Sequence, residues 1–206
     1  MKKKKKLSDI AITIVIIGVA VAVVGTLAWK IWGLFHDDKN KTTQETVKLT
    51  EIDKILNRNL DQRYPETPNA VVKLYASITK ELHTKEITEE QITKLFGQLR
   101  KLFDEELLAH NGYEDHMKKL NEEIKQYKSN KMYITRYTVE DSDRLKIYTD
   151  KEGKDCTKIR ITFSIKNDSQ WLKSNEQVIL RKDEDGRWKI LGNEQTDEAV
   201  SDKNEE

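Results

Sequence analysis

The side chains that could do chemistry in this 206-residue chain are few, and their spacing disqualifies most of them. His110 and His116 flank Glu114 and Asp115, which would suit a metal. Their separation of six does not stack ligands on one helix face, and Asn111-Gly112 interrupts the run between them. They read as solvated helix-end residues, and His36 and His83 as membrane-proximal and surface residues. Asp183 and Asp185 before Gly186 suggest a calcium loop. With Gly186 at the sixth position, however, Arg181 and Gly192 fall where the first and twelfth ligands must be acidic. An acidic hairpin turn accounts for them. Cys156, the single cysteine, stands at the start of an apparent strand without a positioned histidine, and reads as a half-buried small residue rather than a nucleophile.

All four histidines precede Lys131, so the strand-forming half offers no imidazole. Tyr133, Tyr137, Asp141 and Asp143 are the conceivable pocket groups there. Strand tyrosines usually pack, and Asp141-Ser142-Asp143 reads as a turn. No acid–base pair can be nominated. No catalytic, cofactor-binding or metal-ligating residue is therefore assigned, and no cofactor is expected. Trp171 follows the Asn167-Asp168-Ser169 turn among polar neighbours. A tryptophan capping one end of the core is the favoured reading, with an exposed binding residue as the alternative.

The elements that hold these residues begin with an anchor. From Ile10 to Trp29 there is no charged residue. Those 20 positions give about 30 Å of helix, the thickness of a bilayer core. Trp29, Trp32 and Phe35 follow at interfacial depth, and Lys30 can snorkel to headgroups. Lys2 to Lys6 favour retention of residues 1–9 in the cytoplasm, which places the remainder outside the cell membrane. The apolar run exceeds the roughly 7–15 residues of a cleaved signal, and no cysteine follows it to carry a lipid. A single-pass signal-anchor with the lipid bilayer as partner through residues 10–29 is the expectation.

The chain carries 37 basic and 36 acidic residues. Six of the basic residues and one acid precede His36, leaving 31 basic against 35 acidic beyond it. A weakly acidic outer domain argues against nucleic acid, which draws on clustered positive charge. One cysteine excludes an internal disulfide, an economy more typical of exported proteins of Gram-positive bacteria than of extracellular animal domains.

Residues 30–47 read as a polar stalk and 196–206 as a disordered acidic tail, both too poor in apolar residues to offset the entropy of ordering. Between them, residues 48–195 form the expected folded unit. Leu49, Ile52, Ile55 and Leu56 make a short apolar face. Thr67-Pro68 starts a second helix carrying Val71, Tyr75, Ile78 and Leu82. Thr88-Glu89-Glu90-Gln91 is a capping box opening one long helix, with Ile92, Leu95, Phe96, Leu99, Leu102, Phe103 and Leu107 on one face up to Asn111-Gly112. Tyr113, Met117, Leu120, Ile124 and Tyr127 mark a further helix, read as core. After Lys131 the period changes to two. Tyr133 to Val139, Leu145 to Ile147, Ile159 to Lys166, Gln177 to Lys182 and Trp188 to Leu191 read as strands, with a hairpin at Asp183 to Gly186. Helices first and a meander afterwards define an α+β class.

This order resembles the nuclear transport factor 2-like fold, a cone in which a curved sheet wraps around N-terminal helices. Three segments look closer to one bacterial family. They are Tyr64-Pro65-Glu66-Thr67-Pro68 followed by Val72-Lys73-Leu74-Tyr75, then Leu102 to Leu108, then Leu180 to Gly192 with its Asp185-Gly186-Arg187-Trp188-Lys189-Ile190 hairpin. Together they resemble an uncharacterised family of anchored proteins from clostridial-type Gram-positive bacteria, a domain of unknown function. The resemblance implies the cone fold and no activity. Two functions follow as expectations: a membrane-tethered, non-enzymatic binding or assembly domain with protein partners or self-association, or a small-ligand sensor or enzyme using the pocket of the cone.

Overall fold

The computed structural model describes residues 50–168 and 170–200. The anchor and stalk expected within residues 1–49, and positions 201–206 of the tail, lie outside the described residues. Among those described, no helix is long and apolar enough to cross a membrane.

Five α-helices precede an antiparallel sheet: α1 (Glu51–Leu56), α2 (Pro68–Leu82), α3 (Glu89–Arg100), α4 (Glu105–His110) and α5 (Tyr113–Ser129), then β1 (Met132–Val139), β2 (Ile147–Thr149), β3 (Asp155–Asn167), β4 (Gln170–Lys182) and β5 (Trp188–Gln195). Their starts follow local chemistry. Thr50 and Thr88 form capping boxes with Asp53 and Gln91, and Thr67 accepts from the Ala70 amide ahead of Pro68. Each satisfies amides that a helix end would otherwise leave bare, worth about 1 kcal/mol. A short 3-10 turn at Ser142–Arg144 separates β1 from β2.

The sheet runs β1-β3-β4-β5, with β2 beside β1 on the same edge of β3. β3 and β4 form the spine, paired from Cys156↔Arg181 to Asn167↔Gln170. Alternation sets the faces. Ile159, Ile161, Phe163 and Ile165 of β3, with Val178 and Leu180 of β4, are fully buried. They share one core with Val71, Tyr75 and Ile78 of α2, Leu95 and Phe96 of α3, and Leu120 and Ile124 of α5. The opposite face of β3 is drier than its Arg160, Thr162, Ser164 and Lys166 suggest, because residues 196–200 cross it. The Thr196 amide donates to the Asn175 carbonyl, the Val200 amide donates to Thr162 Oγ1 at 2.8 Å, and Glu198 pairs with Arg160. Thr162 is buried in consequence, and Ser164 is buried where its hydroxyl accepts from Arg136 Nε.

The long helix expected from Thr88 to His110 is two helices. Between them the chain reaches the sheet: the Ile190 amide donates to the Leu102 carbonyl and the Asp104 amide to the Ile190 carbonyl, each at 2.8 Å. Asp104 restarts the helix by accepting from the Glu106 amide, and its carboxylate takes a two-point contact from Arg181 at 2.7 and 3.2 Å. The apolar periodicity of Leu99, Leu102, Phe103 and Leu107 survives the break because both pieces face one core, which is why spacing alone hides it. Both side chains of the pair are over nine-tenths buried, so removing one partner strands a charge and costs about 3–5 kcal/mol. Arg181→Met should lower stability by that order in urea denaturation. Asp104→Asn should keep the cap and lose the ion pair, while Asp104→Ala loses both and falls a further ~1 kcal/mol.

Candidate functional site

Among the described residues, polar chemistry gathers inside the core and at two surface hollows. The first is interior. Tyr75 and Thr79 of α2 and His83 at its C-cap lie one turn apart, Glu123 and Tyr127 one turn apart on α5, and Glu176 projects from β4 on the face of Val178 and Leu180. Tyr75 donates its hydroxyl to Glu176 Oε2 at 3.2 Å, and Asn193 Nδ2 of β5 donates to the same oxygen at 3.1 Å. His83 Nδ1 sits 2.8 Å from the Thr79 carbonyl, which can only accept, so that nitrogen carries a proton. Its Nε2 faces Glu123 Oε1 at 3.1 Å without an aligned hydrogen bond.

The His83–Glu123 pair is an acid–base constellation that the sequence reading did not nominate. His83 is 3 % exposed and not a surface residue. The spacing of Tyr75, Thr79 and His83 was the available signal, since it places three polar groups on the buried side of α2. His116 is likewise buried rather than solvated. It accepts from Arg100 through Nδ1 at 3.2 Å and stacks on Phe103, and burial beside Arg100 lowers its pKa to about 4. His110 is exposed, and the two do not form a metal site. Among the described residues no group of three His, Cys, Asp or Glu side chains could hold a metal ion.

The interior cluster is nearly sealed. The space beside it, between Tyr75, His83, His116, Leu120 and Glu123, measures about 20 Å³, room for one water. Glu176 Oε1, Tyr127 Oη and Ser174 Oγ are buried without hydrogen-bond partners. Burial pushes the Glu176 carboxyl and the Tyr75 and Tyr127 hydroxyls above their ordinary pKa values.

The second place is an open cleft of about 670 Å³ between α4 and the β4–β5 hairpin. Its charges are largely paired off internally. Arg181 contacts Asp104, and also Glu106 at 3.0 Å. Lys189 covers the Tyr64 ring at 4.3 Å and donates to the Lys101 carbonyl. Asp183 accepts from the Arg187 amide and closes a turn that needs Gly186 at φ 76°, so the acidic pair Asp183 and Asp185 belongs to a hairpin. Cys156 is buried nearby, 3.8 Å from Asp150, and burial raises its thiol pKa to about 11, which keeps it protonated and unreactive.

The third place is the tip of the β3–β4 hairpin. Trp171 is 63 % exposed, against the expectation that it caps the core. It stands beside a basic hollow of about 530 Å³ lined by Lys85, Lys128, Lys131 and Lys166 around Tyr133, with Asp168 as the acid. Tyr133 and Tyr137 are half-buried on β1, Asp141 caps the turn after it and Asp143 lies within that turn, and none of them joins the interior cluster.

Two pH responses follow from the interior. His116 is held neutral by the fold, so its contribution is intact above its ordinary value of 6.5 and is lost as pH falls toward 4. Urea midpoints measured between pH 7 and 4 should fall for the wild type and fall less for His116→Gln, the difference being at most about 3 kcal/mol. Glu176 has the opposite sign. Its raised pKa favours folding below 4.5 and opposes it above. Glu176→Gln should therefore be more stable than wild type at pH 7, with the gain closing below pH 4.5.

No curated protein matches this chain. The model of one family, described as a domain of unknown function (DUF6715), matches residues 1–193. With the match spanning most of its length, the chain belongs to the DUF6715 family.

Proposed function

We propose that this protein is a single-pass, membrane-anchored binding or assembly domain displayed on the outer side of the cell membrane, and that it is not an enzyme. The observation that carries the reading is the small volume beside the buried polar cluster. A pocket that holds a small molecule commonly measures about 300–1,000 Å³, whereas the space beside the buried polar cluster is about 20 Å³. Binding surfaces are left to the exterior, where Trp171 and the charged hollows lie. The uncharged run from Ile10 to Trp29 and the lysines before it supply the anchor and its orientation. The order of helices and antiparallel strands supports a cone of the nuclear transport factor 2-like kind, a likeness of architecture that carries no activity with it.

The His83–Glu123 pair favours a second reading, in which the interior opens to admit a small ligand. The two are separable. Extracted in mild detergent, the full-length protein should run as an assembly larger than one protomer, and Glu176→Gln should leave that assembly intact. A monomer in every detergent would remove the assembly reading. An assembly lost in the folded Glu176→Gln variant would favour the interior. Protease added outside intact cells should remove the domain, and full protection would reverse the assigned orientation.

A further inference from the structure

We propose that the β3–β4 hairpin tip is a second membrane contact, at which Trp171 and the lysines of the adjacent hollow dock the domain on anionic lipid. The inference rests on the membrane-anchored reading above and adds to it a surface and a partner chemistry.

Charge is the first ground. Lys85 from the α2–α3 loop, Lys128 at the end of α5, Lys131 before β1 and Lys166 on β3 converge from four segments on one hollow. Asp168 opposes them, 3.5 Å from Lys131. This net positive spot stands on an outer region in which acids outnumber bases, 35 to 31. Near a negatively charged bilayer such a molecule is oriented: its basic tip is drawn in and the remainder is repelled. Each lysine near such a surface is worth roughly fivefold in association.

The second ground is the indole. Trp171 pairs with Lys166 across the hairpin and lies under its ammonium at 5.5 Å, yet is 63 % exposed. A large ring with a polar N–H, covered by a lysine and bordering a basic hollow, suits the headgroup layer, where tryptophan is enriched and lysine snorkels. A soluble polyanion would use the lysines and leave the ring without a role.

Reach is the third. The 20 residues between Trp29 and Thr50 span up to about 66 Å when extended. The 13 residues of β3 measure about 43 Å. Wherever α1 lies on the domain, the tether can deliver the tip to the bilayer. It also holds the tip at a local concentration on the order of millimolar, so a weak surface suffices.

The full-length protein reconstituted in vesicles of brominated phosphatidylcholine, with or without phosphatidylglycerol, tests this. The emission of Trp171 is the difference between wild type and Trp171→Phe. It should be quenched at least twofold when phosphatidylglycerol is present, released by raised salt, and unquenched in Lys131→Glu/Lys166→Glu and in Lys85→Glu/Lys128→Glu. Absence of quenching with phosphatidylglycerol would overturn the proposal. So would equal quenching without it, or a Trp171 response to long-chain inorganic polyphosphate that exceeds the response to lipid. Alkaline carbonate separates the underlying reading: protein stripped from the vesicles would mean that the anchor fails, whereas protein retained with unquenched Trp171 would mean that the docking alone fails.

Discussion

The contact of Arg181 with Asp104 is the constraint around which the helical layer is set on the sheet. Arg181 stands near the end of β4, paired across the sheet with Cys156 at the start of β3. Asp104 ends the segment joining α3 to α4, a segment held to β5 by two backbone hydrogen bonds at Ile190. A guanidinium buried at that junction cannot be left unpaired, and the carboxylate that satisfies it also caps α4. One side chain thus fixes where the helix breaks, which way it resumes and which strand it leans on. The helices then fall with their apolar faces on β3 and β4, and the core closes.

That closure leaves a polar cluster inside it. Tyr75, His83, Glu123, Tyr127 and Glu176 are all buried, and several of their atoms have no partner. A buried carboxylate whose pKa is raised by desolvation opposes folding at neutral pH, and an apolar substitute would pack more comfortably. Groups of this kind specify one arrangement of α2, α5 and β4, because a shifted register would strand more of them. Their cost to stability is the point at which the sequence departs most from what a core alone requires.

Much of the architecture was legible from local chemistry. Thr67-Pro68, the capping box at Thr88, the alternation of Ile159 to Ile165 and the turn at Asp183 to Gly186 each carry their own short-range cause. The break after Arg100 was not legible, since its cause is Arg181, 77 residues away from Asp104. The buried histidines were misplaced for a related reason. His83 and His116 look solvated beside charged neighbours in sequence, but burial depends on which helix face meets the sheet, and the Phe103 and Tyr127 rings that cover them come from other segments. Trp171 erred the other way. An aromatic next to a turn suggests a capped core, whereas strict pairing with Lys166 aims it outward.

The strap formed by residues 196–200 carries a consequence for how the protein is made. Every described helix and strand precedes it in chain order, so while the polypeptide is being synthesised the outer side of β3 stays open after its own hydrogen-bonded neighbours are in place. Thr162 gains its cover when those residues arrive. A chain that folds as it emerges therefore carries a nearly finished sheet still bare on one face until residues 196–200 arrive. That interval is the one in which a neighbouring copy or a chaperone finds this surface free.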